Sequence, residues 1–158
     1  MPPARPETDA TPGPRRHEGA VREMAGYNLK RAYIVLHSAA QEAAAEFDLR
    51  IPTFSCLSVI VRNPEITPSK LAEMLRIERS NTVVIVDELE TRELVSRKRM
   101  KTDRRRYALS ATVRGRHLHD QAAEAIAQAE ATCLTRLSDD EQALLVEMLN
   151  RIEGSMTG

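Results

Sequence analysis

Two short helix-like stretches separated by only three residues, and followed at once by a hairpin-like pair, constrain the fold of this chain more than any other feature. The first stretch opens with Thr67 and Pro68, an N-cap and first-turn pair that predicts a helix start. The second has apolar residues at near-helical spacing, and the last two alternate on either side of a basic segment. In chain order the stretches are PSKLAEML, RSNTVVIVDELETREL, LVSRKRM and RYALSAT. We therefore expect a helix-turn-helix followed by a β-hairpin.

Two helices before this segment and two after it give a predicted order of ααααββαα. Residues 21–47 have apolar residues at three- and four-residue spacing, which predicts a long amphipathic helix. Pro52 suits the first turn of a second helix, which Pro64 ends. Thr112 can cap a helix that starts at the next residue, and the capping box Ser138–Glu141 opens the last helix. The chain is therefore expected to be mainly α with a small β-hairpin.

The first twenty residues contain five of the eight prolines and no apolar periodicity. Such a segment buries too little apolar surface to offset its ordering entropy, so residues 1–20 are predicted to be a disordered tail. The remaining residues, 21–158, are of a length that favours a single domain. No 18-residue apolar run or secretory signal is present, and the chain is expected to be cytoplasmic.

The net charge of zero hides two oppositely charged segments. Residues 96–106 carry seven basic residues and one acid, a local charge of +6, whereas residues 120–158 carry eight acids and two arginines, a local charge of −6. This polarity predicts a basic face that meets a polyanion and a separate acidic face.

No set of residues in the sequence has the spacing that would support catalysis or metal binding. His117 and His119 are two residues apart on a predicted helix and so point to different faces, and no third ligand is spaced to join them. Cys56 and Cys133 are far apart and lack metal-ligand spacing. We therefore expect neither an enzyme nor a cofactor.

In a helix-turn-helix the second helix lies in the DNA major groove and presents its N-terminal residues to the base edges. Those residues here are Arg79, Ser80, Asn81, Thr82 and Val84. An asparagine can pair with adenine, hydroxyls can pair with several base edges, and an exposed valine can meet a thymine methyl group. The competing interpretation is that Ser80 or Glu78 simply caps the helix and that Asn81 is ordinary surface.

The segment DRRRYALSATVRG, residues 103–115, resembles the wing signature of the MarR family of bacterial transcriptional regulators, an Asp-x-Arg followed by Leu-Thr-x-x-Gly. Asp103, Arg105, Thr112 and Gly115 are in register, while Ala111 replaces the usual leucine. The helix-turn-helix upstream is also similar to that of the family. There, Glu93 stands where the family usually has a helix-terminating glycine, and Val84 stands where a polar or basic residue is common.

The resemblance implies a winged helix-turn-helix at 52–112 and a homodimer held by helices at 21–48 and 113–158. The arginine-rich hairpin tip would then enter the minor groove, whose narrow form attracts guanidinium groups. The predicted DNA-binding residues are Ser69, Lys70, Arg79, Ser80, Asn81, Thr82, Val84, Arg97, Lys101, Asp103, Arg104, Arg105 and Arg106. The expected partner is a double-stranded operator.

Some family members bind small aromatic acids or their CoA thioesters, and the resemblance implies such an effector here. Cationic and aromatic side chains that suit an anionic aromatic ligand cluster on the first long helix. The predicted ligand-binding residues are Tyr27, Lys30, Arg31, Tyr33, His37 and Phe54. A dimer core with solvated cations would explain the same residues equally well.

Two other functions stay open within the same fold. Some relatives sense oxidants through cysteine, and Cys56 lies in the apolar run TFSCLSVIV, with no Lys or Arg within four residues to lower its pKa. A winged helix can also serve as a protein-interaction module without specific DNA binding. The most direct expectation is a ligand-responsive repressor that is released from a pseudo-palindromic operator.

Overall fold

A computed structural model describes residues 19–100 and 106–154 of the chain. After a 3₁₀ helix at Gly19–Glu23, the described elements follow the predicted order. They are α1 (Ala25–Ala45), α2 (Ile51–Arg62), α3 (Pro68–Leu75), α4 (Arg79–Thr91), β1 (Val95–Arg99), β2 (Tyr107–Ala111), α5 (Val113–Cys133) and α6 (Asp139–Gly154). The mainly helical architecture with a two-stranded antiparallel hairpin confirms the predicted fold class.

A local sequence signal places the start of the helix-turn-helix, and backbone geometry makes its turn. The Thr67 side chain accepts a hydrogen bond from the Lys70 amide at 3.3 Å, so it caps α3 as its position predicts. Arg76 ends α3 in the left-handed conformation with φ of 51°, and its amide donates to carbonyls of the last turn. The three-residue turn ends at Glu78, whose side chain makes no capping bond to α4. Backbone geometry therefore turns the chain here without the aid of a glycine.

The hairpin pairs Val95 with Ala111 and Arg99 with Tyr107 in an antiparallel register. Leu109 also forms a bridge to Ile66, and its amide donates to the Ile66 carbonyl at 2.8 Å. This bridge attaches the hairpin, called the wing from here on, to the loop that precedes α3.

Large aliphatic side chains from all elements of the helix-turn-helix and the wing meet in one core. Leu57 and Ile60 of α2, Leu71 of α3, Leu89 of α4 and Leu109 of β2 are fully buried there. Each such side chain stabilises the fold by about 1.5–3 kcal/mol through the burial of apolar surface. The core fixes which face of α4 remains exposed.

The Thr-x-x-Gly motif joins the start of α5 to Glu93 and Leu94, which follow α4. The Thr112 hydroxyl accepts from the Gly115 amide at 2.9 Å and donates to the Glu93 carbonyl at 2.7 Å. A Cβ on Gly115 would lie 1.9 Å from the Leu94 carbonyl oxygen, so only glycine fits beside that backbone. The motif is a packing requirement as well as a helix cap.

The last helix begins as the sequence predicts. The Glu141 amide donates to the Ser138 hydroxyl at 3.3 Å, and the Ser138 amide donates to the Glu141 carboxylate at 2.8 Å. These two bonds are a capping box.

The chain divides into two compact units, Met1–Val35 and Leu36–Gly158. In the described part of the first unit, the Asn28 side-chain amide donates to the Arg22 carbonyl at 2.7 Å and to the Met24 carbonyl at 2.9 Å. The predicted tail lies outside the described residues as far as residue 18, and its last two residues, Gly19 and Ala20, belong instead to the 3₁₀ helix. The expectation of a single domain from residue 21 stays a prediction.

No helix within residues 19–100 and 106–154 is long and apolar enough to cross a membrane.

Candidate nucleic-acid interface

The N-terminal half of α4 presents a mixed polar and apolar face. Arg79, Ser80 and Asn81 are exposed, and so are Val83 and Val84, at 50% and 62%. Ile85, Val86 and Leu89 are buried on the opposite side of the helix. Because that buried side anchors α4 in the core, the exposed face remains accessible for contact with another molecule.

Thr82 does not belong to this face, and its prediction as a base contact is wrong. Its side chain is 1% exposed, and its hydroxyl donates to the Glu78 carbonyl at 3.1 Å. Helical spacing places position 82 with the buried Ile85 and Val86, so this polar residue packs into the core and satisfies its hydroxyl within its own helix.

A groove of about 580 Å³ runs between α3, the turn, the start of α4 and the end of the wing. Among the residues that the structure describes, four basic side chains and one acid, Glu73, line the groove. The basic residues are Lys70, Arg76, Arg79 and Arg106. Lys70 and Glu73 are 3.1 Å apart and mostly exposed, a pairing that is worth little in water. The groove therefore gathers positive charge from segments that are well separated in sequence.

The groove brings together four of the thirteen predicted DNA-binding residues and adds one cation that was not predicted. Ser69, Lys70, Arg79 and Arg106 were predicted from the sequence and all line it. Arg76 was missed because a turn position gives no sequence signal for which way its side chain points; only its positive charge could have suggested it.

The wing carries further cations on β1. Lys98 and Arg99 are exposed, and the Arg99 guanidinium lies 5.7 Å from the centre of the Tyr107 ring. Both residues were counted in the basic run but were not among the predicted contacts. The predicted contacts Lys101, Asp103, Arg104 and Arg105 lie outside the described residues.

Arg97 has different surroundings from those expected of a DNA contact. Its guanidinium pairs with the carboxylates of Asp87 and Glu90 on α4, and it lies 5.7 Å from the centre of the Tyr107 ring. Its side chain is 25% exposed. With two carboxylates and a ring already around it, the guanidinium is not presented to a phosphate, and the prediction of Arg97 as a direct contact is corrected.

Four of the predicted effector-binding residues stand on the first turns of α1, within the first unit. Tyr27 is half-buried, and the Arg22 guanidinium lies 5.4 Å from the centre of its ring. Lys30, Arg31 and Tyr33 are exposed.

The other two predicted effector residues belong to the second unit, where His37 and Phe54 are half-buried. Phe54 stacks on His119 with the ring centroids 5.6 Å apart and an interplanar angle of 5°. His119 also contacts the Ser58 hydroxyl through Nε2 at 3.0 Å and the Asp120 carboxylate through Nδ1 at 2.9 Å. The sequence did not place His119 beside Phe54, because α2 and α5 are brought together only by the fold.

Cys56 does not have the surroundings of a reactive thiol. Cys56 is fully buried in the core, and burial raises the pKa of its thiol to about 11. Cys133 is half-buried near the end of α5. Within residues 19–100 and 106–154, no group of three His, Cys, Asp or Glu residues could hold a metal ion.

Comparisons with known proteins agree with this geometry. The MarR family model matches residues 49–107, which include α2, α3, α4 and β1. A putative transcriptional regulatory protein for the hcr operon of Thauera aromatica is 30% identical over 135 residues, which are 85% of this chain and 81% of that protein.

Solved structures of the same kind superpose on most of the chain. The transcriptional repressor CouR bound to a 23-mer DNA duplex is 33% identical, with a TM-score of 0.80, over 85% of this chain and 96% of that one. CouR from Rhodococcus jostii RHA1 bound to p-coumaroyl-CoA is 27% identical, with a TM-score of 0.75, over 85% and 94%. This chain therefore belongs to the MarR family and is a winged-helix transcriptional regulator.

Proposed function

We propose that the protein is a cytoplasmic homodimer that binds a pseudo-palindromic operator as a repressor and is released by a small aromatic acid or its CoA thioester. The observation that carries this proposal is the exposed Arg79-Ser80-Asn81 sequence at the start of α4, beside a groove lined by four basic residues. In a helix-turn-helix, this is the position that meets base edges.

The two parts of this surface suit different parts of a duplex. Asn81 can pair bidentately with adenine, and Val84 can meet a thymine methyl group. The groove cations suit phosphates, which set the register but carry no sequence information. Lys101, Asp103, Arg104 and Arg105 remain proposed wing contacts on the strength of the sequence resemblance.

A second copy of the chain would cover apolar surface on the terminal helices. In α6 the large apolar side chains recur at three- and four-residue spacing, yet most of them are exposed. The exposed ones are Leu144, Val146, Met148, Leu149 and Ile152, while Tyr33, Ile34 and Val35 are exposed on α1. Apolar stripes of this kind are typical of subunit interfaces. Two-fold symmetry would place two α4 helices about one DNA turn apart.

The effector half of the proposal rests on the composition of α1 and on the relatives. Lys30 and Arg31 could pair with a carboxylate or phosphate, and Tyr27 could pack against an aromatic ring. The CouR structure with p-coumaroyl-CoA makes an aromatic acid or its thioester the first class to try. Such a ligand releases DNA only if it binds the two conformations of the dimer with different affinity.

Footprinting on the DNA upstream of the gene tests the proposal, first alone and then with aromatic acids and their CoA thioesters. We expect a protected site with two-fold symmetry that is lost when the right effector is added. Arg31→Ala should weaken the effector response and leave operator binding intact, whereas Arg136→Ala, an exposed arginine between α5 and α6, should change neither.

This experiment can contradict each part of the proposal separately. Identical effector response curves for wild type and Arg31→Ala would remove Arg31 from the effector site. No response to any aromatic acid or thioester would leave only the DNA-binding part. Protection of no sequence would favour the protein-interaction module instead.

A further inference from the structure

Arg97 of β1 lies between α4 and the ring of Tyr107 on β2. Its Nη2 pairs with the Asp87 carboxylate, and its Nε lies 3.2 Å from Oε2 of Glu90, without the alignment of a hydrogen bond. Asp87 and Glu90 are three residues apart and share one face of α4. A single guanidinium thus spans two carboxylates of the helix and one aromatic ring of the wing.

The same contact continues the core outward along one face of the wing. Val95 of β1 and Leu109 of β2 are buried on this face. Alternation along the strands puts Arg97, Tyr107 and Arg99 on the same face, farther from the core. The Arg97 and Arg99 guanidinium groups each lie 5.7 Å from the centre of the Tyr107 ring. Beyond the aliphatic core, this face of the wing is packed through ion pairs and cation–π contacts.

We propose that Arg97 is a positioning residue that fixes the orientation of the wing against α4, so that the groove cations and the base-reading residues reach one duplex together. This inference rests on the proposed function, because it concerns how the duplex is bound. Asp87 and Glu90 share this role. Their negative charge is unfavourable beside DNA phosphates, but it holds Arg97 in place. Misplacement of a contact by about 1 Å is costly to a preorganised site.

Asp87→Asn separates this role from simple electrostatics. Loss of a negative charge on a DNA-binding helix should tighten binding if only long-range charge counts. If Asp87 holds Arg97, the same change should instead weaken operator binding, by about fivefold at fixed salt. The matched control is Glu73→Gln, which removes an acid that lines the basic groove and should tighten binding.

A double-mutant cycle adds a second, independent readout. Arg106→Ala should weaken wild-type binding by about tenfold, as expected for the loss of a charged DNA contact. In an Arg97→Ala background, Arg106→Ala should weaken operator binding by less than about threefold. A wing that is no longer fixed against α4 does not hold Arg106 at the DNA. Lys98→Ala, which removes one cation from the same strand, should leave the tenfold effect of Arg106→Ala unchanged.

The outcomes distinguish this inference from the proposed function. Thermal unfolding of each variant first establishes that it is folded. Tighter binding by Asp87→Asn, or an undiminished effect of Arg106→Ala in the Arg97→Ala background, would overturn the positioning role while leaving DNA binding intact. A wild-type protein that binds no duplex would overturn the proposed function and this inference together.

Discussion

At the scale of single residues, backbone conformation and burial decide roles that residue type alone does not. Glu93 has a φ of 58° at the position where the family usually has glycine, so the left-handed conformation is kept although the side chain disfavours it. Thr82 has a hydroxyl suited to a base edge, yet it is buried in the core. The role of each residue follows from the position in which the fold holds it.

Replacement of Glu93 by glycine should stabilise the protein. The change relieves the strain of a left-handed non-glycine residue, and part of the gain is lost to the larger entropy of the unfolded chain. We expect the free energy of unfolding to rise by about 1 kcal/mol in denaturant titration. Glu93→Ala is the control, since it removes the exposed ion pair with Arg114 but keeps the Cβ. A gain for Glu93→Ala as large as that for Glu93→Gly would argue against backbone strain.

Cys56 should be inert to thiol reagents in the folded protein. Because burial raises the pKa of its thiol to about 11, roughly one molecule in 10⁴ carries the thiolate at pH 7. A Cys133→Ser variant isolates Cys56, and its reaction with a disulfide reagent should be slow until denaturant is added. Rapid modification of the native variant would restore the cysteine-based sensor as an alternative.

At the scale of elements, the sequence predicts helix ends well where a side chain caps its own helix. The predicted starts of α3 and α5 coincide with the observed ones because Thr67 and Thr112 bond to amides three residues away. The pairing of Arg97 with Asp87 could not be predicted in the same way. It depends on how the wing meets α4, and no local signal encodes that packing.

Gly115→Ala should disrupt the joint between α5 and the segment that follows α4. The new Cβ would lie 1.9 Å from the Leu94 carbonyl oxygen, so the backbone must move and the Thr112 bonds with it. We expect a loss of more than about 2 kcal/mol in the free energy of unfolding. Gly26→Ala is the control, because a Cβ at that position would meet nothing within 4 Å. Equal stability of the two variants would contradict the packing role of Gly115.

Asn81→Ala should reduce discrimination among operator sequences more than it reduces affinity for unrelated DNA. Base contacts specify the sequence, whereas phosphate contacts only position the protein. The measurement is the ratio of the dissociation constants for operator and unrelated duplexes, with Lys70→Ala as the phosphate-contact control. If Asn81→Ala lowered both affinities by the same factor, Asn81 would not read bases.

At the scale of the whole molecule, charge distribution matters more than net charge. A chain with net charge zero gathers four cations along one groove, and α6 carries three acids in its first turn. The logarithm of the DNA-binding constant should fall by about 0.9 for each tenfold increase in salt concentration and each phosphate neutralised by the groove.

The fold and the DNA-facing helix could be predicted because they rest on periodicity and capping. The effector site could not be fixed, because the candidate residues support a subunit interface equally well.

Sequence-specific binding of duplex DNA is the central claim, and its most direct test is a comparison of two affinities. Fluorescence anisotropy at about 150 mM salt, near physiological ionic strength, gives the affinity of the wild-type protein for the footprinted duplex and for a shuffled duplex of equal length and composition. We expect the footprinted duplex to bind at least about 10³-fold more tightly, the lower end of the range for specific DNA-binding proteins. Superimposable binding curves for the two duplexes would contradict the account.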